Sequence, residues 1–468
     1  MGSEMKVRDH SALLAELSDE YARYAPHSAA LDEKARSYLI DGGNHAVRLN
    51  EPFPPRIRAA RGAWVQDEDG HDILDFWQGH FANILGHNPE LVTVALARAY
   101  DGGFGLQTGF ADSLQVEVAE MLCDRTGAER VRLTTSGSLA TMYAVMLARA
   151  YTGRELVLKV GGGWHGAQPW ALKGVSFDAD RGYACLESEG LPPGFADQVI
   201  CVRFNDTQAL NDVFRRHGDE LACFIIEPFM GGGGFIPATR EYLQDAREWT
   251  HRYGTVLIFD EVISGFRFRA GDVGALYGIQ PDLATFGKII GGGMPFAAVA
   301  GRDALLRQAS REHPAPVRFH GGTYSAHPAS MLAAKTMLTY LVTHEAEVYR
   351  TLAELGEQTR RSVEEAFAAE GIYARCTGGG NEAIPGSSVG QAHFPYAEGT
   401  ELTAPEDVND PARCDVVLRE KVVRLALLLE NITVMHGLGA VSTAHTEADI
   451  AYLGEACRRA ARRIRPTL

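Results

Sequence analysis

The segments TVLIFDEV at residues 255–262 and PDLATFGK at residues 281–288 decide the fold of this chain. Each is a short apolar run without the alternation of a half-exposed strand, which is typical of a strand buried on both faces. Similar runs occur earlier in the chain, at 155–160, 198–206 and 222–229. Helical stretches such as 239–254 separate these runs. Strands that alternate with helices predict an α/β fold with a large, mostly parallel sheet and helices on both faces.

The flanking sequence predicts a second, smaller domain built from both ends of the chain. An Asp-Glu-Asp-Gly turn at 67–70 separates two β-rich runs and indicates a hairpin. A single long helix is predicted over 328–371, and the sequence after it is rich in loops before a helical end. We therefore expect a large domain at 96–340 and a smaller α+β domain formed by 1–95 and 341–468.

Composition excludes several classes of function. The chain has 468 residues, of which 46% are hydrophobic and 22% charged, as in globular proteins. Its net charge of −15 argues against non-specific binding to nucleic acid and against anchoring on anionic lipid. No apolar run approaches the roughly 18 residues of a membrane span, and residues 1–24 lack the long apolar core of a secretory signal. We expect a cytoplasmic protein without nucleic-acid or membrane partners.

No metal site is predicted. The seven cysteines are scattered, and none forms a Cys-x-x-Cys pair, which excludes the usual cysteine-rich zinc spacings. His165 and His320 have no neighbours typical of metal ligands. The glycine clusters at 231–235 and 291–294 match neither the P-loop nor the dinucleotide-binding pattern.

Three small groups of residues can carry chemistry. Ser136, Gly137 and Ser138 lie between a predicted strand and a predicted helix, where free N–H groups and a hydroxyl can bind a phosphate. Asp260 ends an apolar strand at the edge where α/β folds bind ligands. Lys288 follows a strand and precedes three glycines, and a lysine with a lowered pKa can form a Schiff base.

Each group also has a simpler explanation. The serine segment can be an ordinary helix N-cap, Asp260 or its neighbour Glu261 can be a helix cap or a surface charge, and Lys288 can be a solvated lysine. Together, however, a phosphate cradle, a buried carboxylate and a strand-end lysine are what pyridoxal 5′-phosphate requires. A non-catalytic phosphate-binding or nucleotide-binding module stays an alternative at this point.

The same residues lie in motifs that resemble a known family. VLIFDEVISGFR and PDLATFGKIIGGGMP, together with TSGSLATMYAVMLARAYTGR, FIIEPFMGGGGFIP and HGGTYSAHP, are similar to segments of the class III (fold-type I) pyridoxal-phosphate aminotransferases. The glutamate-1-semialdehyde 2,1-aminomutase-like branch is the most similar. The resemblance covers about residues 40–345 and a short C-terminal piece, and it implies the fold-type I architecture.

The resemblance implies roles for individual residues of the cofactor site. Lys288 would hold the cofactor aldehyde as a Schiff base, and Asp260 would pair with the ring nitrogen. The residues expected around the rest of the cofactor are Ser136, Gly137 and Ser138 at the phosphate, Trp164 with His165 beside it on one ring face, and Val262 on the other face.

Two further residues are implied by motif position. Thr323, in HGGTYS, matches a residue that reaches the phosphate of the neighbouring subunit, which implies a homodimer. Arg48, in GGNHAVR, matches an arginine that holds the substrate carboxylate, a role that suits the guanidinium fork. A surface arginine is the alternative for Arg48.

Departures from the family pattern bear on the reaction. Leu139 stands where the family commonly has Glu, glycines fill 231–234, and Met435, His436 and Leu438 replace a serine- and glutamate-containing segment. We therefore expect an aminotransferase that moves an amino group from a carboxylate-bearing amino acid to a keto acid. An intramolecular aminomutase of the glutamate-1-semialdehyde 2,1-aminomutase type is the alternative reaction.

Overall fold

The computed structural model describes residues 8–468. Residues 1–7, which the sequence analysis assigns to the smaller domain and to the N-terminal segment without a secretory signal, lie outside the described residues. Within 8–468, no helix combines the length and the apolar character needed to cross a bilayer.

A seven-stranded sheet forms the centre of the described structure, in the order β4-β10-β9-β8-β7-β5-β6. Every neighbouring pair in it is parallel except the two pairs made by β10, which runs against both β4 and β9. This confirms the predicted α/β fold with a mostly parallel sheet. The strands are β4 Arg130–Thr134, β5 Leu156–Val160, β6 Val199–Val202, β7 Leu221–Ile226, β8 Val256–Glu261, β9 Leu283–Phe286 and β10 Ala297–Gly301.

Helices cover both faces of this sheet because its strands are apolar on both sides. All residues of β7, β8 and β9 are buried. Ile225 and Ile258 pack in one apolar cluster with helix α6, Gly137–Thr152. Their strand neighbours Phe224 and Phe259 pack in another cluster with α8, Thr207–His217, and α9, Arg240–Tyr253. Burial on both sides is the reason why the strand sequences show no alternation.

Two smaller sheets lie outside the central one. One has the order β1-β2-β3-β13 and joins the two ends of the chain, since β3 pairs with β13 in parallel. The antiparallel β2–β3 pair confirms the hairpin predicted around 67–70. The other sheet has the order β11-β12-β14. These strands are β1 Ile57–Arg61, β2 Trp64–Asp67, β3 Asp72–Asp75, β11 Arg375–Thr377, β12 Val389–His393, β13 Ile432–Thr433 and β14 Gly439–Ala440.

The remaining helices surround these sheets. They are α1 Ser11–Tyr24, α2 Pro26–Arg36, α3 Gln78–Phe81, α4 Glu90–Asp101, α5 Ser113–Thr126, α7 Gly194–Asp197, α10 Gly274–Tyr277, α11 Asp303–Leu306, α12 Pro328–Thr343, α13 Glu345–Ala369, α14 Pro405–Asn409, α15 Arg424–Leu428 and α16 Glu447–Ile464. A separate apolar core joins α1, α13, α16 and the β1–β3 sheet. The domain limits at 95/96 and 340/341 stay a prediction.

The single long helix predicted over 328–371 is wrong. His344 has φ −112° and ψ 26°, so α12 ends at Thr343 and α13 begins at Glu345. The carboxylate of Glu345 accepts hydrogen bonds from the backbone N–H of Ala270 and from Arg125. These contacts with the rest of the fold redirect the chain at a point where the sequence has no helix-breaking residue.

Candidate active site

A cavity of about 490 Å³ lies at the ends of the central strands. Ligands bind to α/β sheets at the carboxyl ends of parallel strands, and this cavity follows that rule. Its walls include Lys288, Asp260, Ser136, Gly137, Ser138, Trp164, His165 and Val262. The structure thus brings eight of the predicted site residues to one cavity. Glu227, Thr135 and Asn83 are further lining residues.

Asp260 is buried at the end of β8, and both of its carboxylate oxygens have hydrogen-bond partners. One carboxylate oxygen lies 2.7 Å from Nδ1 of His165, and the other accepts the Thr285 hydroxyl at 3.0 Å and the N–H of Val262 at 3.1 Å. Thr285 stands directly opposite Asp260 on the neighbouring strand β9. These partners fix the direction of the carboxylate.

Asp260 and the next residue, Glu261, point to opposite faces of the sheet, because side chains alternate along a strand. Glu261 is also buried, but it accepts the N–H groups of Val273 and Gly274 instead of reaching the cavity. Burial, with the charge of nearby Asp272, raises the pKa of Glu261 well above its usual range. Glu261 therefore belongs to the packing of the loop after β8, whereas Asp260 belongs to the cavity.

His165 has one ring nitrogen without a partner. Its ring is buried, Nδ1 faces Asp260, and Nε2 has no hydrogen-bond partner among residues 8–468. Burial lowers the pKa of His165, although Asp260 opposes this shift. A buried polar atom without a partner is costly, and such atoms occur where a ligand completes the site.

Lys288 follows β9 and presents its amine to the cavity. Its backbone has φ 49°, a conformation that residues other than glycine adopt rarely and mostly at functional sites. Within 8–468, its Nζ makes no hydrogen bond or ion pair. Burial lowers the pKa of Lys288 to about 8, although Asp260 and Glu227 favour the charged form. The lowered pKa leaves more of this amine neutral near pH 7 than in an exposed lysine, which makes it a better nucleophile and base.

The serine segment lies at the N-terminus of α6, a helix of 16 residues. Ser136 is the N-cap and accepts the N–H of Leu139 at 3.3 Å. The simple N-cap explanation is thus correct for Ser136, and it leaves the N–H groups of Gly137 and Ser138 and the Ser138 hydroxyl for a ligand. Gly137 has to be small, because a Cβ there would lie 2.8 Å from Val262. An anion at this end gains from the helix dipole.

Trp164 and Val262 provide apolar surfaces of the same cavity. The indole of Trp164 is 44% exposed, and its backbone N–H donates to Glu227 at 3.0 Å. Burial, with the charge of Asp260, raises the pKa of Glu227 above its usual range. Glu227 also accepts the N–H of Gly231, so it ties the Trp164 loop to the glycine-rich segment at 231–234.

Two predicted site residues lie outside the cavity. Arg48 is exposed and does not line the cavity. Thr323 is exposed and lines a separate surface groove of about 600 Å³ that also includes Phe110 and His320. Neither residue contacts the other eight through a hydrogen bond within 8–468.

Glu227 and Thr285 are site residues that the sequence motifs do not predict. Glu227 had a usable signal, since a carboxylate that directly follows the buried run LACFII is in the same position on β7 as Asp260 on β8. Thr285 had no such signal, because a hydroxyl inside a buried strand is usually satisfied by its own surroundings. Only the parallel register of β8 and β9 places it beside Asp260.

Residues 47–376 match the family described as aminotransferase class-III. This chain belongs to the class III aminotransferases. Class III aminotransferases are enzymes, so the alternative of a non-catalytic binding module is wrong. The family match and the curated relatives confirm the predicted resemblance to this family and to its glutamate-1-semialdehyde 2,1-aminomutase-like branch.

Curated relatives of this class III aminotransferase are named glutamate-1-semialdehyde 2,1-aminomutase. The protein from Haloarcula marismortui is 36% identical over 346 residues, which are 72% of this chain and 74% of that protein. The protein from Halobacterium salinarum is 38% identical over 345 residues, which are 72% of this chain and 74% of that protein.

Solved structures share the fold over nearly the whole chain. An omega-transaminase from Sphaerobacter thermophilus is 32% identical with a TM-score of 0.83 and covers 94% of this chain and 98% of its own. A beta-phenylalanine aminotransferase from Variovorax paradoxus is 30% identical with a TM-score of 0.83 and covers 96% of this chain and 97% of its own. A glutamate-1-semialdehyde aminomutase from Pseudomonas aeruginosa is 22% identical with a TM-score of 0.84 and covers 98% of this chain and 100% of its own. At this identity the similarity shows only that the two chains share a fold.

The cofactor of this class III aminotransferase is pyridoxal 5′-phosphate. The cavity fits it in three respects. The N-terminus of α6 can bind a phosphate, the Asp260 carboxylate is held in a fixed direction, and the Lys288 amine lacks any other partner in the described residues. The predicted cofactor is therefore matched by the residues present.

Proposed function

We propose that this enzyme moves an amino group on a carboxylate-bearing substrate, with Lys288 as the base. The observation that carries the proposal is the free Lys288 amine in the same cavity as Asp260 and the N-terminus of α6. When bound, pyridoxal 5′-phosphate supplies an aldehyde and an electron-withdrawing ring.

The protein residues around the cavity have separate roles in this reaction. The Asp260 carboxylate is held by His165 and Thr285 and would keep a proton on the ring nitrogen. The Lys288 amine would take a proton from, and return it to, the substrate carbon that bears the amino group. The N–H groups at Gly137 and Ser138 would hold the phosphate, and the side chains of Trp164 and Val262 would lie against the ring.

Arg48 supplies a carboxylate clamp near the cavity, since its hydrogen-bond partner His80 follows the lining residue Gly79. It is the predicted residue for this task, and within 8–468 its guanidinium forms no ion pair with an acidic side chain. A free guanidinium fork binds a carboxylate through two parallel hydrogen bonds. The substrate class is therefore an amino acid or amino carboxylate rather than a simple amine.

The first candidate reaction is the intramolecular aminomutase. The curated relatives at 36–38% identity carry the name glutamate-1-semialdehyde 2,1-aminomutase, and they support this alternative better than the general aminotransferase reading. Such an enzyme keeps the amino group on one substrate skeleton, so it needs no separate keto-acid acceptor.

The second candidate is the intermolecular aminotransferase. Solved structures that cover 94–96% of this chain at 30–32% identity are titled omega-transaminase and beta-phenylalanine aminotransferase. Glycines at 231–234 and the residues Met435, His436 and Leu438 also depart from the mutase pattern. This reaction requires a keto acid that takes the amino group from the enzyme.

Acceptor dependence separates the two reactions. The enzyme is incubated with glutamate-1-semialdehyde alone, and separately with a panel of amino donors in the presence and absence of pyruvate or 2-oxoglutarate. Turnover of the semialdehyde to 5-aminolevulinate without an acceptor supports the mutase. Turnover that requires a keto acid supports the aminotransferase, and no turnover with any donor contradicts the proposed function.

We also propose that the enzyme is a homodimer in which Thr323 reaches the partner's cofactor phosphate. In its own chain, Thr323 is exposed and faces a groove instead of the cavity. The groove borders the exposed side chains of Phe110 and Val116, which are 75% and 67% accessible in one chain. Apolar side chains this exposed are typical of an interface between subunits.

Subunit complementation tests this arrangement. Lys288→Ala and Thr323→Ala chains are each expected to have low activity, and mixed dimers should regain one intact site built from Lys288 of one chain and Thr323 of the other. Recovered activity on mixing the refolded chains supports the shared site. A purely additive mixture, or a monomer by light scattering, contradicts it.

A further inference from the structure

The segment Gln78–Phe81 has an unusual backbone beside the cavity. All four residues have positive φ, with values of 47° at Gln78, 61° at Gly79, 59° at His80 and 66° at Phe81. Three of them are not glycine, and residues other than glycine adopt this conformation rarely. Strained backbone of this kind persists only where the surroundings hold it, and it clusters at functional sites.

Fixed contacts hold this segment at both ends. The carboxylate of Asp75 accepts the N–H of Trp77 at 2.7 Å and of Gln78 at 3.0 Å. The same carboxylate lies 2.6 Å from Nε2 of His87. At the other end, the buried guanidinium of Arg267 donates to the carbonyl oxygen of Phe81. The segment is therefore an imposed conformation and not a free loop.

The strained backbone presents His80 at the rim of the cavity. Gly79 and Ala82, on either side of it, line the cavity. The His80 ring packs against Trp77 with ring centroids 4.6 Å apart and against His45 at 4.8 Å. These neighbours leave the ring half-buried with a fixed orientation.

His80 contacts the predicted carboxylate clamp. Nε of Arg48 donates to Nε2 of His80 at 3.3 Å, and this is the one side-chain hydrogen bond of Arg48 within 8–468. Burial, followed by the positive charges of His45, Arg48, Lys288 and His436, lowers the pKa of His80 to about 4. A neutral imidazole can accept the Nε–H of Arg48 through Nε2, whereas a charged one cannot.

The backbone of the Arg48 segment is tethered separately. Arg424 donates to the carbonyl oxygen of Val47 at 3.2 Å, and Lys421 lies 2.9 Å from the carboxylate of Glu51. The bond to Val47 holds the backbone of the segment, and neither contact sets the direction of the Arg48 side chain. Among the described residues, the hydrogen bond to His80 is the contact that sets this direction.

We propose that His80 is a positioning residue that aims Arg48 at the substrate carboxylate. By accepting the Nε–H, His80 leaves both Nη groups free for the two oxygens of a carboxylate. The inference rests on the proposed function, since it presumes an amino carboxylate as substrate. Selectivity for an amino carboxylate over a simple amine then depends on His80 as well as on Arg48, because His80 sets the direction of the guanidinium.

Three His80 variants test the proposal in the holoenzyme. His80→Phe keeps an aromatic ring but removes the acceptor, His80→Gln keeps an acceptor, and both are first checked for melting temperature and cofactor content. A misdirected binding group costs up to about 100-fold. We expect His80→Phe to raise the KM of amino carboxylates about 10-fold, with kcat within about twofold and the KM of the corresponding simple amine unchanged. His80→Gln should recover part of this loss.

The third variant is the double mutant with Arg48→Ala. If His80 acts through Arg48, His80→Phe has no further effect on KM in the Arg48→Ala background. Additive effects, an equal rise in KM for simple amines, or an unchanged KM for amino carboxylates in His80→Phe would each overturn the proposal.

A binding measurement gives a readout that does not depend on turnover. Butanoate has a carboxylate and no amine, so its binding to the holoenzyme can be followed by ligand-observed NMR. We expect weaker butanoate binding in His80→Phe than in the parent protein, and unchanged binding would overturn the proposal. A parent enzyme that responds to no amino donor but shows this difference would instead contradict the proposed function alone.

Discussion

Nδ1 of His165 lies 2.7 Å from the carboxylate of Asp260, at the end of a fully buried strand. His165 comes from the loop after β5, and Asp260 ends β8, so the contact joins two separate parts of the central sheet. Because Thr285 binds the second oxygen at 3.0 Å, the carboxylate has one available direction. Asp260 is thus positioned before any ligand binds.

Replacing Asp260 by Asn should abolish most of the activity while the cofactor stays bound. The amide keeps the size of the side chain but cannot balance a positive charge on the ring nitrogen. Removing a single charge-stabilising group from an active site costs about 100- to 1,000-fold in kcat. The measurement is kcat per bound cofactor, with cofactor content determined on the same sample.

Glu261→Gln is the matched control for that variant. Glu261 is the adjacent buried carboxyl, but it bonds the N–H groups of Val273 and Gly274 away from the cavity. We expect a change in the free energy of unfolding of about 1–2 kcal/mol and almost unchanged kcat. Equal losses of kcat in the two variants would show that Asp260 has no special role.

Cofactor capture by the cofactor-free protein should depend on pH with a midpoint near 8. The neutral amine is the nucleophile, and burial lowers the pKa of Lys288 to about 8. The rate should therefore rise as the pH approaches 8 and level off above it. An exposed lysine, with a pKa of about 10.4, would give a rate that still rises above pH 9.

The capture rate is read from the growth of the cofactor absorbance band after mixing. Lys288→Ala serves as the control, and it should bind the cofactor without a covalent bond to the protein. A midpoint near 10 in the parent protein would mean that the Lys288 amine is solvated, contrary to its place in the cavity.

Gly137→Ala should weaken cofactor binding through a steric contact. The added Cβ would lie 2.8 Å from Val262, and overpacking of this kind costs about 1–3 kcal/mol. Val262→Ala removes the opposing atoms, so the double variant should recover part of the lost affinity. The measurement is the cofactor dissociation constant of the two single variants and the double variant.

Gly194→Ala is the matched glycine control, since a Cβ there meets no atom within 4 Å. It should leave cofactor affinity unchanged. If Gly137→Ala behaved like Gly194→Ala, the close approach at the N-terminus of α6 would have no part in cofactor binding.

The sequence predicts the central fold because its signals are local. β7, β8 and β9 are continuous apolar runs, and Lys288 and Asp260 stand at strand ends, where ligands bind in α/β sheets. The break at His344 was not predictable in this way, because distant contacts of Glu345 produce it. The short strands of the C-terminal part were also missed, since two or three residues are too few to show a period.

In the candidate site, too, residues with a local sequence signal can be predicted and residues placed by distant contacts cannot. Residues that follow strands or begin a helix, such as Asp260 and Ser138, can be predicted from their positions. Thr285 and His80 cannot, because one depends on strand register and the other on a backbone with positive φ. Neither feature leaves a local pattern in the amino-acid sequence.

The most direct test of the account is to identify the lysine that holds the cofactor. The holoenzyme is reduced with borohydride, digested and examined by mass spectrometry. The account predicts that the added cofactor mass is found on Lys288, and that Lys288→Ala carries none. Cofactor mass on another lysine, or no covalent mass in the reduced parent enzyme, would contradict the assignment of this cavity as the active site.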